Sequence, residues 1–404
     1  MITKQEVLER AREWNLRPEV VEKDYVLGWL LSATTQLPAI SDQWVLKGGT
    51  CLKKCFFETY RFSEDLDFTL LPTAGYDEGD IAEALRALAS RTAEISGIRF
   101  HPEHVTVKTR QDKFDRITFE GRLGYQGPLV IPTWPRILFD ITQHEPVISA
   151  TVRRGVLHPY SDTLPPDTSI RTYSFEELLA EKTRALYERI SPRDLYDVAY
   201  MLDNLTEPLD RALVKRTFEQ KCAFKGFTPP TAIELVARVR DAAELRADWD
   251  DMLAHQLPYV APVDGTIQRL DRALSWMTIE VAGQIVSTSA RLPIAPMAAR
   301  GGQVIAPARL RGNIPELLRF AGSNRLLISF YYSGKRRLVE PYSLRWAQST
   351  GNLNLYAWEL ASGEIKCFTT SKMSSVEVVQ QTFAPRYHIE LGTPGAISYG
   401  VWRR

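Results

Sequence analysis

Hydrophobic and polar positions follow two periods along this chain, and the switches between them mark its elements. Val20, Val21, Tyr25, Val26, Trp29 and Leu30 recur at helical spacing after Pro18, which predicts an apolar-striped helix. A helix precedes it, with Thr3 as cap and Glu6 at the reciprocal capping position. Trp44-Val45-Leu46 predicts a short strand feeding Gly48-Gly49, then a short helix and a strand through Asp65-Leu66-Asp67-Phe68 that ends before Pro72. Ile81 to Ile95 reads as a helix, and residues 101–123 alternate as antiparallel strands, with Lys108, Arg110, Lys113 and Arg116 on a wet face that could equally contact an RNA or nucleotide. Arg136-Ile137-Leu138-Phe139-Asp140-Ile141 is a buried-looking strand holding one carboxylate.

Ser174, with Glu177 three residues on, caps a helix, and a second helix starts after Ser191-Pro192. Residues 209–257 read as helical with a break at Pro229-Pro230, then a stripe of Leu235, Val239, Ala242, Leu245, Trp249 and Leu253. A helix over 270–285 closes this part. Residues 288–312 lose all periodicity and gather Pro and Gly, as a linker does. After Pro315-Glu316-Leu317-Leu318 the pattern turns to strands, predicting a bent antiparallel sheet of about five.

The expected class is therefore α+β. A mixed-sheet core with helices spans 1–170, a helical region 171–285, a linker 286–313 and a small β domain 314–404.

Composition adds limits. Hydrophobic content of 44% and charged content of 25% are those of an ordinary globular protein. Net charge is +1, so there is no global nucleic-acid signature, and such binding must come from local patches. Lys215, Arg216, Lys221 and Lys225 form one such basic cluster, read as a solvated face or an RNA-facing one. Cys51 and Cys55 lie one helical turn apart, while Cys222 and Cys367 are isolated; all four read as reduced thiols. No signal peptide is visible, and no apolar run approaches the roughly 20 residues that span a bilayer. A cytoplasmic protein without a membrane partner is expected.

The chemistry concentrates between Gly48 and Phe68. A glycine turn opening a helix exposes backbone N–H groups that can face phosphate. On a strand, Asp65 and Asp67 point to one face while Leu66 and Phe68 enter the core. Two carboxylates on one face suit Mg²⁺, or Mn²⁺, together with substrate phosphates. Asp140, inside an apolar run, needs a partner of its own. Lys182 is a compact cation suited to triphosphate oxygens. Asp194 and Asp197 share a helix face, from which they could bind a metal, orient Lys182 or pair with Arg193 and Arg189.

Gly48-Gly49, the short helix and Arg61-Phe62-Ser63-Glu64-Asp65-Leu66-Asp67-Phe68 together resemble the AbiEii/AbiGii-type nucleotidyltransferase toxins, a branch of the DNA polymerase beta-like superfamily. Val21-Glu22-Lys23-Asp24-Tyr25, Lys182 and Arg193-Asp194-Leu195-Tyr196-Asp197 look like further motifs of that branch. The resemblance implies a polymerase beta-like core in which Gly48, Gly49, Thr50, Arg61, Ser63 and Lys182 bind the nucleotide. It implies that Asp65, Asp67 and Asp140 hold the metal, with Lys182, Asp194 and Asp197 also catalytic. It implies transfer of nucleotides from a nucleoside triphosphate to an RNA, tRNA 3′ ends foremost. A toxin role in phage defence by abortive infection, with a cognate antitoxin, comes with it. Modification of a protein hydroxyl is the alternative within the same fold.

The C-terminal part resembles the WYL domain, an SH3-like ligand-sensing module, through Phe330-Tyr331-Tyr332, Arg337 to Tyr342, Ala357-Trp358, Phe368 and Lys372. The naming tripeptide falls on Leu353-Asn354-Leu355, so only its last residue is kept. Two arginines of the family fall on Lys366 and Lys372. The resemblance implies a nucleic-acid or nucleotide ligand near Arg337, Lys366 and Lys372. It also leaves open a nucleic-acid-binding regulator whose transferase fold is an idle scaffold.

Overall fold

The computed structural model describes residues 1–72, 75–112, 114, 116–205, 208–275, 314–347 and 351–391. The expected linker, residues 276–285 and the C-terminal end lie outside the described residues.

Two helices open the chain, α1 (Lys4–Glu13) and α2 (Pro18–Thr34), the first capped by Thr3, whose side chain accepts from Glu6 N. Fourteen of the 17 residues of α2 are buried, because this helix is packed on all sides rather than along one stripe. A short turn of helix, α3 (Pro38–Ser41), leads into β1 (Trp44–Lys47), and α4 (Gly48–Cys51) follows without a loop. That helix widens into a π-helical turn over Leu52–Phe56.

Next come β2 (Asp65–Leu70), α5 (Glu78–Ser96), β3 (Arg99–Phe100), β4 (Thr106–Gln111), β5 (Ile117–Gln126), β6 (Arg136–Thr142), β7 (Val152–Gly155) and β8 (Ser169–Thr172). They form one mixed sheet of eight strands in the order β3-β5-β6-β2-β1-β8-β7, with β4 on β5. The β2–β6 pair is parallel and the β1–β2 pair antiparallel.

Helices α6 (Phe175–Arg189), α7 (Pro192–Asp203), α8 (Arg211–Phe224), α9 (Ala232–Asp241), α10 (Ala243–Leu253) and α11 (Val263–Leu274) complete the first part. The stripe from Leu235 to Leu253 is not one helix: Ala242 is extended and divides it. The closing helix starts seven residues earlier than the sequence pattern suggests, at Val263. Ser174 caps α6 as expected, but Glu177 does not reciprocate; it accepts from Ile148 N and Ser149 N.

Ile314–Ser323 is a helix, α12, in a stretch to which the sequence pattern assigns no element. Its Leu317, Leu318, Phe320 and Ala321 are buried, and tertiary packing of that face decides its state. Five antiparallel strands follow: β9 (Leu326–Tyr332), β10 (Lys335–Trp346), β11 (Leu353–Glu359), β12 (Glu364–Thr369) and β13 (Ser374–Thr382). Their order is β12-β11-β10-β9-β13. Helix α12 ties this sheet to the first part. Asn324 O accepts from Arg269 Nη1 at 2.7 Å, Asn324 Oδ1 from Tyr196 OH at 3.1 Å, and Ser323 O from Asn204 Nδ2 at 3.1 Å. Among the described residues, no helix is long and apolar enough to cross a membrane.

Candidate active site

A single register places the key carboxylates. Asp67 lies opposite Asp140 on β6 and opposite Lys47 on β1, and Asp140 lies opposite Glu120 on β5. Residues directly opposite in a sheet project to the same face, so Glu120, Asp140, Asp67 and Lys47 form one charged row across four strands. Asp65 sits two residues earlier on that face, opposite Leu138, which is 42% exposed, so this side of the sheet is open.

Gly48 stands at the end of the row. Its φ is +72°, a conformation that favours glycine. A Cβ there would overlap the Asp67 carboxylate, 2.7 Å from Cγ. One on Gly49 would come within 2.9 Å of Arg61 Nη2 and of Ser63 Oγ. Both glycines therefore exist because side chains of the motif lie directly against the turn.

None of the carboxylates of Asp65, Asp67 and Asp140 makes a hydrogen bond or ion pair among the described residues. Burial and then Asp140 push Asp67 up to about 6, against the pull of Lys182 and Lys47. Burial also raises Asp140 and Asp65 above the usual carboxylate range. Three oxygen donors without partners, on one open face and costly to ionise together, fit a hard divalent cation. Among the described residues, the trio is not drawn in as closely as His101, Glu103 and His104, whose ligand atoms all lie within 4.8 Å of one another.

The other wall is a buried ion-pair lattice. Lys182 Nζ lies 2.7 Å from Asp197 Oδ2 and 3.3 Å from Asp194 Oδ1. Arg189 binds Asp194 through Nε and Nη2, at 2.5 and 3.0 Å. Arg61 makes a bidentate pair with Asp197, Nε to Oδ1 at 2.7 Å and Nη2 to Oδ2 at 2.8 Å. Burial works against the charge of Asp197, but Arg61 and Lys182 hold it well below the usual range. Burial opposes Lys182 too, and Asp197 and Asp194 nonetheless keep its pKa raised.

Two of the residues expected to bind the nucleotide have partners inside the protein. Arg61 is 3% exposed, and its remaining Nη1 donates to Gln256 Oε1 at 2.9 Å. Its guanidinium is paired inside the protein, where the carboxylate of Asp197 holds a buried cation. Thr50 is likewise buried, and its hydroxyl donates to Asp65 O at 2.5 Å. Asp194 and Asp197 are paired with cations, which agrees with two of their possible tasks, the orienting of Lys182 and the pairing with Arg189. Ser63 remains against the glycine turn.

Lys47 is not singled out by the sequence, and Arg193 only as a partner for Asp194 and Asp197. Lys47 reaches Glu145 Oε2 at 2.6 Å and Glu181 Oε1 at 3.6 Å, and its charge lowers both Asp67 and Asp140. Its place directly before Gly48 was the available signal. Arg193 has no hydrogen bond or ion pair among the described residues; burial and then Arg61 lower its pKa, while Asp65 and Glu64 act the other way. Lys23 joins the rim, 2.9 Å from Glu64 Oε2, whereas Asp24 is buried against Lys54 at 2.6 Å.

Residues 29–276 match the model of a family described as the nucleotidyl transferase AbiEii toxin of type IV toxin–antitoxin systems. The chain belongs to the AbiEii family. It is accordingly a nucleotidyltransferase, and a toxin of the toxin–antitoxin class. Among solved structures it is similar to MenT4, the nucleotidyltransferase toxin Rv2826c from Mycobacterium tuberculosis H37Rv. Identity is 19%, over 69% of this chain and 90% of that one, with a TM-score of 0.43. No curated protein matches the chain. The AbiEii span ends ahead of α12, so it does not reach the second sheet or its WYL-like resemblance.

In that sheet the residues expected to meet a ligand are drawn together by Glu359. Arg337 Nη1 lies 2.5 Å from Glu359 Oε1, and Lys366 pairs with Oε2. Lys372 stands apart, exposed on a single 3-10 turn.

Proposed function

We propose that this AbiEii-family chain transfers a nucleotide from a nucleoside triphosphate to an RNA hydroxyl, with the tRNA 3′ end as acceptor, and that it does so with Mg²⁺. The observation that carries the reading is the row of Asp67 and Asp140 beside the Gly48 turn, with Asp65 on the same open face and all three carboxylates without partners among the described residues. Asp65, Asp67 and Asp140 would hold the cation. A divalent ion there neutralises charge on the phosphoryl group in transfer. Gly48 and Gly49 offer backbone N–H groups to the phosphates. Lys182, fixed by Asp194 and Asp197, and Arg193, which has no ion-pair partner among the described residues, supply cations for the triphosphate.

Arg61 belongs to the scaffold in this reading. It joins the motif loop to α7, so the two walls of the cleft are held at fixed separation. A cognate antitoxin is the expected partner, and phage defence the expected setting. The second sheet would sense a nucleic acid or nucleotide, with Lys372 available and Arg337 and Lys366 available only once Glu359 is displaced.

Incubation of the full chain with each labelled nucleoside triphosphate and bulk tRNA tests this. Label in RNA that requires Asp67 is the expected result. Label in protein alone overturns the acceptor.

A further inference from the structure

A cavity of about 230 Å³ lies where α12 meets α1 and the turn after the π-helical segment. Its walls are chiefly apolar, formed by Trp14, Phe62, Pro159, Leu317 and Phe320, and Lys53 enters them. It is separate from the aspartate face. We propose that this cavity is a binding site for a small organic anion, a body of one or two rings carrying a single carboxylate that meets Lys53.

Lys53 is buried, and an ammonium has three protons to donate. One goes to Glu58 O at 2.5 Å, and the Phe62 ring lies beneath Nζ at 4.3 Å from its centroid. No carboxylate pairs with it among the described residues. The two acids nearest in the cavity wall are committed elsewhere: Arg319 binds Glu58, and also Glu316 at 3.7 Å. Asp24, which acts on Lys53 from a distance, is bound by Lys54. A buried cation without a counter-ion is unfavourable, and burial pushes Lys53 down to about 8. An anion entering the cavity supplies the missing partner.

Size and lining select the rest of the ligand. The volume is below the ~300–1,000 Å³ of sites for drug-sized ligands, so it suits one or two rings. Aromatic and proline walls favour a flat apolar body, which leaves water on entering the cavity. A dianion such as a phosphate monoester would bring a second charge with no second free cation in the wall. The cavity joins an element of the transferase to α12, and Lys53 lies on the helical segment that begins at Gly48. Occupation would therefore act on both parts of the chain.

Calorimetric titration of the full-length chain with 2-naphthoate and with neutral 2-naphthamide tests the proposal. The expected result is saturable one-to-one binding of the acid, with the amide at least tenfold weaker. Lys53→Met should bind acid and amide alike. Leu317→Trp, which fills the cavity from the other wall, should bind neither, with an unchanged melting temperature showing that it is folded. Equal binding of acid and amide by the wild type, no binding of either, or an acid preference that survives Leu317→Trp would overturn the site.

Discussion

Gly48 and Asp67 are mutually exclusive with any side chain at position 48: the carboxylate of one occupies the space where the Cβ of the other would be. The positive φ of Gly48 adds backbone strain to any substitution. Gly48→Ala should therefore displace Asp67 while leaving the core of the sheet intact. Displacements of about 1 Å at a reacting centre cost on the order of 100-fold. Nucleotide transfer should fall at least that far, with the circular dichroism spectrum unchanged.

Asp67 also carries a cost in stability. Its folded pKa of about 6 is above the usual ~3.9, so its ionised form destabilises the metal-free fold above pH 6 and the effect vanishes below the unfolded value. Asp67→Asn should stabilise the metal-free protein at pH 7 by ~1–2 kcal/mol, discounted because the side chain is partly exposed. The gain should disappear toward pH 4. Added Mg²⁺ should raise the melting temperature of the wild type and not that of the variant.

Asp197 has the opposite sign. Its folded pKa is depressed, so its contribution is present above the unfolded carboxylate range and lost as pH falls below it. Arg61→Met should cost ~3–5 kcal/mol at pH 7, the price of leaving part of a buried pair behind. Arg61→Lys should recover little, since one ammonium cannot replace a bidentate guanidinium. Urea denaturation at pH 7 and pH 3 checks both statements, with the Arg61→Met deficit smaller at the lower pH.

Lys182 and Arg193 separate binding from scaffold. Lys182→Met leaves Asp197 with Arg61 and Asp194 with Arg189, so the fold should persist. Its kcat/KM should fall ~100-fold or more, as for loss of a preorganised charge. Arg193→Met removes no described pair and should raise KM for the triphosphate with little change in melting temperature. Steady-state kinetics beside thermal denaturation distinguish the two variants.

Local patterns made much of this site legible. The period of two around Asp65 and Asp67, and a lone carboxylate in the apolar run around Asp140, place all three on strands before any pairing is known. Long-range partners left no such trace. Arg61 and Asp197 are 136 positions apart, and nothing near either residue reports that one consumes the other. Lys221 reads as part of a solvated basic cluster, yet it is buried within 3.5 Å of Glu145, Glu177 and Glu181. Its helical spacing from Val214 and Phe218, both buried, was the overlooked signal. Helix α12 was missed because its short apolar run takes its state from what it packs against.

Asp65, Asp67 and Asp140 are proposed to form the centre that adds nucleotides to RNA. Sequencing of tRNA 3′ ends after induced expression of wild type and Asp67→Ala tests it most directly. Added nucleotides are expected in the wild type and none in the variant. Unaltered RNA ends with the wild type, or extension that persists in Asp67→Ala, would contradict it.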